Sequence, residues 1–202
     1  MNHDAWRCSV MEYIRGEALP EDKYGHQPRL YALAHAIGGE IAHDDDVVFA
    51  AAWMHDLGVF AGHRPQDAAE LARWNHVPYT MERGCALLRG WGFPAAKLAA
   101  VAEAIRTHQP HDEPVTVEAA ILRDADILEQ LGAIGAARAL VKVGRDTRYA
   151  TFSSVTSLLK KALAELPGKL RLPRARELAA ARTEALRAFL LALENEAGEH
   201  LH

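Results

Sequence analysis

The stretch AAWMHDLGVF, residues 51–60, is an alanine-rich apolar run that ends in an adjacent His55 and Asp56 and stops at Gly58. Alanine favours helix, and Val47, Val48, Ala51 and Met54 recur at the spacing of a helical packing face. An imidazole and a carboxylate at the end of such a helix need partners, because burying polar groups without them costs free energy. Set about 100° apart around the helix, the two side chains can converge on one ion lying off that edge. The alternative is local: His55 caps the last carbonyls of its helix and Asp56 caps the turn that follows.

The rest of the chain narrows the fold. Its 202 residues suffice for one well-buried core and show no compositional break that would demand a second domain. Alanine and leucine are abundant and β-branched runs are scarce, so an all-α protein is expected. A net charge of -4 argues against general nucleic-acid binding, which needs a basic surface. The two cysteines, Cys8 and Cys85, lie far apart without a CxxC partner, which argues against a disulfide framework and a thiolate zinc site. No apolar run approaches the roughly 18 residues of a membrane span, and MNHDAWRCSV is too polar for a signal peptide, so a cytoplasmic protein without membrane partners is expected.

Taken in order, the chain reads as a series of amphipathic helices. Residues 4–18 form the first, and His26 opens the second, where a loop gives way to the stripe Leu30, Leu33, Ala34 and Ile37. The acidic run 44–46 caps the helix that delivers His55 and Asp56. A loop carrying His63 and Arg64 leads to a short helix opened by Pro65, and a further helix is expected over about 78–90. The stripe Leu98, Val101, Ala102 and Ile105 places His108 one turn beyond its helix. A long helical pattern interrupted at Gly132 and Gly135 carries Asp124 and Asp126 inside apolar sequence. Residues 146–197 read as two more helices, with Leu158, Leu159, Leu163 and Leu166 as one packing face.

His26, His55, Asp56, His108 and the DAD of 124–126 mix imidazole and carboxylate donors. Such a set suits Mn, Fe, Co, Ni or Zn, with Mg the poorer fit. A first histidine, an adjacent His-Asp pair and a distant aspartate in ADIL (125–128) resemble the signature of the HD-domain superfamily of metal-dependent phosphohydrolases. AIRTHQP, DADIL and GAIGAAR resemble small bacterial members of the group in which nucleotide pyrophosphohydrolase activity is known. The resemblance implies a single-domain helical bundle over 1–202, with a metal-binding core at 20–145 and a C-terminal helical extension at 146–202 packed on it.

It also implies His26, His55, Asp56 and Asp126 as metal ligands. Asp124 points about 200° away from Asp126 on a helix, so only one of the two can touch the ion. Asp124 is then expected in a supporting catalytic role, orienting a histidine or pairing with Arg123 or Arg138. His108 matches one of the extra histidines of the two-metal members and is expected to support catalysis or face the substrate. Where another would stand, the chain has Thr80, Met81 and Glu82, and His76, earlier and next to Pro78, either enters the site or is a helix-end histidine in a loop.

The implied function is metal-dependent hydrolysis of a small phosphorylated compound, a nucleotide above others. The alternatives are a phosphomonoesterase acting on another metabolite and a non-catalytic metal-dependent ligand-binding or sensor module. Lys142, Arg145 and Arg148, just past the last ligand-bearing helix, are the expected contacts to phosphate, with Arg64 and Arg106 next. A homodimer is compatible with this reading.

Overall fold

The computed structural model describes residues 5–145 and 149–202, apart from the side chain of Asp22, and these residues form helices and connecting turns with no strand among them. They fall into two compact units, one ending at Arg123 and the other starting at Asp124. Among the described residues no helix is long and apolar enough to cross a membrane.

The first unit is built around one helix. It holds α1 (Ala5–Glu17), α2 (His26–Gly38), α3 (Asp45–Met54), α4 (Ala68–Ala72), α5 (His76–Gly90), α6 (Leu98–Arg106) and the opening turns of α7 (Val117–Glu129). Every residue of α3 from Val47 to Met54 is buried, as expected of a helix that is apolar all round. It packs against α1, α2, α5 and α6. The three alanines Ala50–Ala52 are fully buried and let the neighbouring helices approach closely.

The acidic run that opens α3 does more than cap it. Asp44 Oδ1 accepts from the Asp46 N–H at 3.1 Å, as an N-cap should. Arg7 of α1 also reaches Asp45 at 2.9 Å and Asp46 at 2.6 Å, and Lys97 reaches Asp44 and Asp46 at 2.8 Å each. Burial pushes the Asp46 carboxyl up, but the hydrogen bonds from Lys97 and Arg7 outweigh it and hold the group below the usual carboxylate range. Beside this network the Trp6 ring meets Phe49 and Phe93 edge-on.

Local starts differ from the sequence reading at two places. Pro65 does not open α4, because Asp67 offers a better start: its carboxylate accepts from the N–H groups of Ala69 and Glu70. α5 begins at His76 rather than near 78, with Asn75 as its cap. Pro78 is tolerated there because the first four N–H groups of a helix have no partner within it.

The second unit holds the end of α7, then α8 (Gly132–Leu140), α9 (Phe152–Glu165) and α10 (Pro173–Ala197), with the last three packed on one another. Gly132, at φ +78°, separates α7 from α8. Gly135 is no interruption but a close approach inside α8, where a Cβ would lie 2.3 Å from the Gln130 carbonyl oxygen. Thr151 and Ser154 form a capping box at the start of α9, and Pro173 opens α10. Leu159 and Leu166 are buried as the packing face requires, whereas Leu158 is exposed.

Candidate metal centre

Four imidazoles and one carboxylate converge at the helix ends of the first unit. His26 is the first residue of α2, and His55 caps α3 at its C-terminus with its N–H on the Ala51 carbonyl. His76 is the first residue of α5, and His108 lies just past α6. Helix ends suit this purpose because backbone direction changes there, so short side chains from several helices can meet at one point. His26 and His55 are 3% and 1% exposed, so both ring nitrogens of each must be satisfied by protein or ligand.

His55 Nδ1 lies 3.0 Å from the Ala52 carbonyl oxygen, and His108 Nδ1 lies 2.6 Å from that of Ile105. A carbonyl only accepts, so each Nδ1 carries the hydrogen and each neutral ring keeps its Nε2 lone pair for an ion. This is the arrangement by which proteins fix the tautomer of a ligating histidine.

Asp56 stands between two groups of nitrogens. Its Oδ2 is 3.8 Å from His26 Nε2 and 3.6 Å from His55 Nε2, while its Oδ1 is 3.6 Å from His76 Nε2. His26 Nε2 and His55 Nε2 are 3.2 Å apart. Contacts of 3.6–3.8 Å are too long for hydrogen bonds. Two donors bound to one ion at about 2.1 Å stand roughly 3.0–3.4 Å apart, which is close to this spacing. Two trios result, His26–His55–Asp56 and Asp56–His76–His108, each with one donor atom per residue and all its atoms within 4.8 Å of one another. The donor chemistry fits a divalent first-row ion. Burial pushes the Asp56 carboxyl up, but the positive charge that His55, His26, His76 and His108 carry when protonated outweighs it and holds it well below the usual carboxylate range.

Gly58 locks the two trios together. Its N–H donates to Thr80 Oγ1 at 3.0 Å, and its carbonyl accepts from Trp74 Nε1 at 2.8 Å. A Cβ on Gly58 would lie 3.0 Å from both the Cβ and the carbonyl oxygen of His76. A side chain there would press on the start of α5, so a glycine suits the close approach of the turn after the His-Asp pair.

His63 is engaged elsewhere. Its Nε2 donates to Glu17 Oε2 at 2.8 Å, so in the neutral ring Nδ1 accepts from the Tyr79 hydroxyl at 2.7 Å.

His76, which the sequence left open between the site and a helix end, stands in the second trio. The signal for it was Asn75, a strong N-cap immediately before it. His108, expected to support catalysis or face the substrate, stands in the same trio.

Other residues singled out in the sequence have partners of their own. Asp124, fully buried, accepts at Oδ2 from the backbone N–H groups of Arg171 and Leu172 at 2.9 and 2.8 Å. Arg123 donates to the Gln109 and Pro110 carbonyls, and Arg138 pairs with Glu129 at 3.2 Å. Asp126 Oδ2 accepts from Gln130 at 3.2 Å. Lys142 lies over the Tyr149 ring, and Arg145 is exposed in the turns after α8. Arg148 falls outside the described residues, and Arg64 follows His63 in the loop beyond Gly58.

The HD domain model matches residues 24–131. No curated protein matches the sequence. Among solved structures, Bacillus subtilis YpgQ in complex with ADP superposes with a TM-score of 0.72 at 24% identity, covering 96% of each chain. The Lin1889 protein of Listeria innocua gives 0.74 at 19% identity over 98% of this chain and 99% of its own. An HD-superfamily hydrolase from Bacillus thuringiensis gives 0.70 at 16% over 98% and 100%. At such identities the likeness shows a shared fold, and function has to be argued from the site. Because the HD model covers more than half of the chain, this protein belongs to the HD domain family.

Proposed function

We propose that this protein is a metal-dependent phosphohydrolase of nucleotides. The observation that carries the reading is Asp56 shared between two histidine trios, with His55 and His108 each held at Nδ1 by a backbone carbonyl, which leaves Nε2 as the ring nitrogen available to an ion. Asp126, in the ADIL motif, is the proposed fourth ligand.

The chemistry supplied by a bound divalent ion is acidification of water and polarisation of a phosphate oxygen. The protein's own part is orientation and charge. Anchoring at Nδ1 removes the rotational freedom that His55 and His108 would otherwise lose on binding. Asp56 spans both trios through its two oxygens. Arg64, Lys142, Arg145 and Arg148 are the proposed cations for the remaining phosphate charge. Asp124, through its hold on the 171–172 backbone, serves as a positioning residue for the end of α7 that carries Asp126.

YpgQ, which shares the fold and is found in complex with ADP, supports a nucleotide as the substrate. The second trio, which contains His76, favours two ions per chain over one. The test is to load the purified protein with Mn, Ni, Zn or Mg and assay nucleotides and generic phosphoesters, measuring phosphate and pyrophosphate separately. Release of either from a nucleotide supports the reading. Stoichiometric metal with no turnover of any phosphorylated compound replaces it with a ligand-binding or sensor role.

A further inference from the structure

A groove of about 700 Å³ runs between the start of α5 and the end of α6. Its walls include Asn75 and Val77, on either side of His76, and Gln109, directly after His108. An anhydride or ester held at the His76–His108 side of the centre therefore has this groove beside it for its organic substituent. The volume lies within the range of small-molecule sites.

The lining says which part of a substrate fits. Val77, Pro78 and Met81 from α5 face Ala102 from α6, giving two apolar walls. Glu82 and Asp112 add two carboxylates, Asp112 already accepting from the Gln109 N–H at 3.0 Å and lying 3.5 Å from the exposed His111. The one guanidinium, Arg106, is already held by Glu103 through two hydrogen bonds of 2.8 and 2.7 Å. A phosphate chain would meet carboxylates there with little positive charge to offset them. An uncharged, flat, amphipathic group would instead rest on Met81 and Pro78, with its N–H or hydroxyl edge donating to Glu82 or Asp112.

We propose that this groove binds the nucleoside moiety of the substrate while its phosphates lie at the metal centre. The assignment rests on the nucleotide phosphohydrolase reading, but nucleoside binding can be measured without turnover. The experiment follows the Met81 methyl resonance of the full chain, labelled at methionine methyls and identified by its loss in Met81→Leu, with and without added zinc. Adenosine and cytidine should shift it saturably, and inorganic tripolyphosphate should not. Ala102→Trp, which fills the groove, should abolish the shift and raise KM for a nucleoside triphosphate by roughly ten-fold or more, beyond any change in kcat.

Glu82 is exposed, so Glu82→Arg keeps the test open should the bulkier variant not fold, and it should weaken adenosine binding several-fold. A Met81 resonance unmoved by both nucleosides, or a folded Ala102→Trp that binds them as wild type does, overturns the proposal. A Met81 shift in a protein that hydrolyses no nucleotide leaves the groove assignment standing and removes the hydrolase reading.

Discussion

Asp56 Oδ1 lies 3.6 Å from His76 Nε2, across a turn in which Gly58 comes close to the start of α5. That pairing turns a His-Asp dipeptide at the end of one helix into the shared edge of two candidate ligand sets.

Replacing His76 with alanine should reduce bound metal from two ions to one per chain and leave the His26–His55–Asp56 trio loaded. Elemental analysis after dialysis checks it. A variant with the same metal content as wild type would show that His76 does not ligate.

Thr80 is fully buried and supplies the acceptor for the Gly58 N–H. Thr80→Val leaves that donor unsatisfied and should destabilise the fold by about 1–3 kcal/mol in urea titrations. Metal affinity should fall with it, since the turn that aligns Asp56 with His76 is released. Thr80→Ser keeps the hydroxyl and should recover most of both. A valine variant with wild-type metal affinity would confine the role of Thr80 to packing.

The two aspartates of α7 should separate by readout. Asp126→Asn should weaken metal binding by orders of magnitude, whereas Asp124→Asn should weaken it about 10-fold to 100-fold. Asp124→Asn should also lower thermal stability, because two backbone N–H groups lose a charged acceptor. Isothermal titration with zinc and thermal unfolding distinguish the two, and the reverse ranking in metal affinity would exchange their roles.

Acid stability should report on the network at the head of α3. Asp46 has its folded pKa held below the ordinary value, so its contribution is fully present above the unfolded pKa of about 4 and is lost as pH falls through the folded value. Asp46→Asn should therefore be less stable than wild type at neutral pH, with the gap closing below about pH 4. Urea unfolding at several pH values measures it, and a gap that is independent of pH would mean the carboxylate charge contributes nothing.

Much of the fold was legible in the chain itself. The apolar run at 47–54, the acidic cap before it and the periodic leucines of α9 and α10 specify helices by local propensity and patterning, which act over a few residues. His55 and Asp56 were legible as candidates because a polar pair at the end of an apolar helix conflicts with burial unless it has partners, and His26 joined them through the resemblance to the HD-domain signature.

Spatial company was decided only by tertiary structure. His63 and His76 are equally conspicuous in the sequence, yet His63 is taken up by Glu17 and Tyr79 while His76 meets Asp56. Local propensity contains no term for which residue of a distant helix will face a given ring. The packing of α5 and α6 within the first unit, with the close approach of Gly58 to the start of α5, provides that term, and it made a helix start capped by Asn75 part of a candidate metal centre.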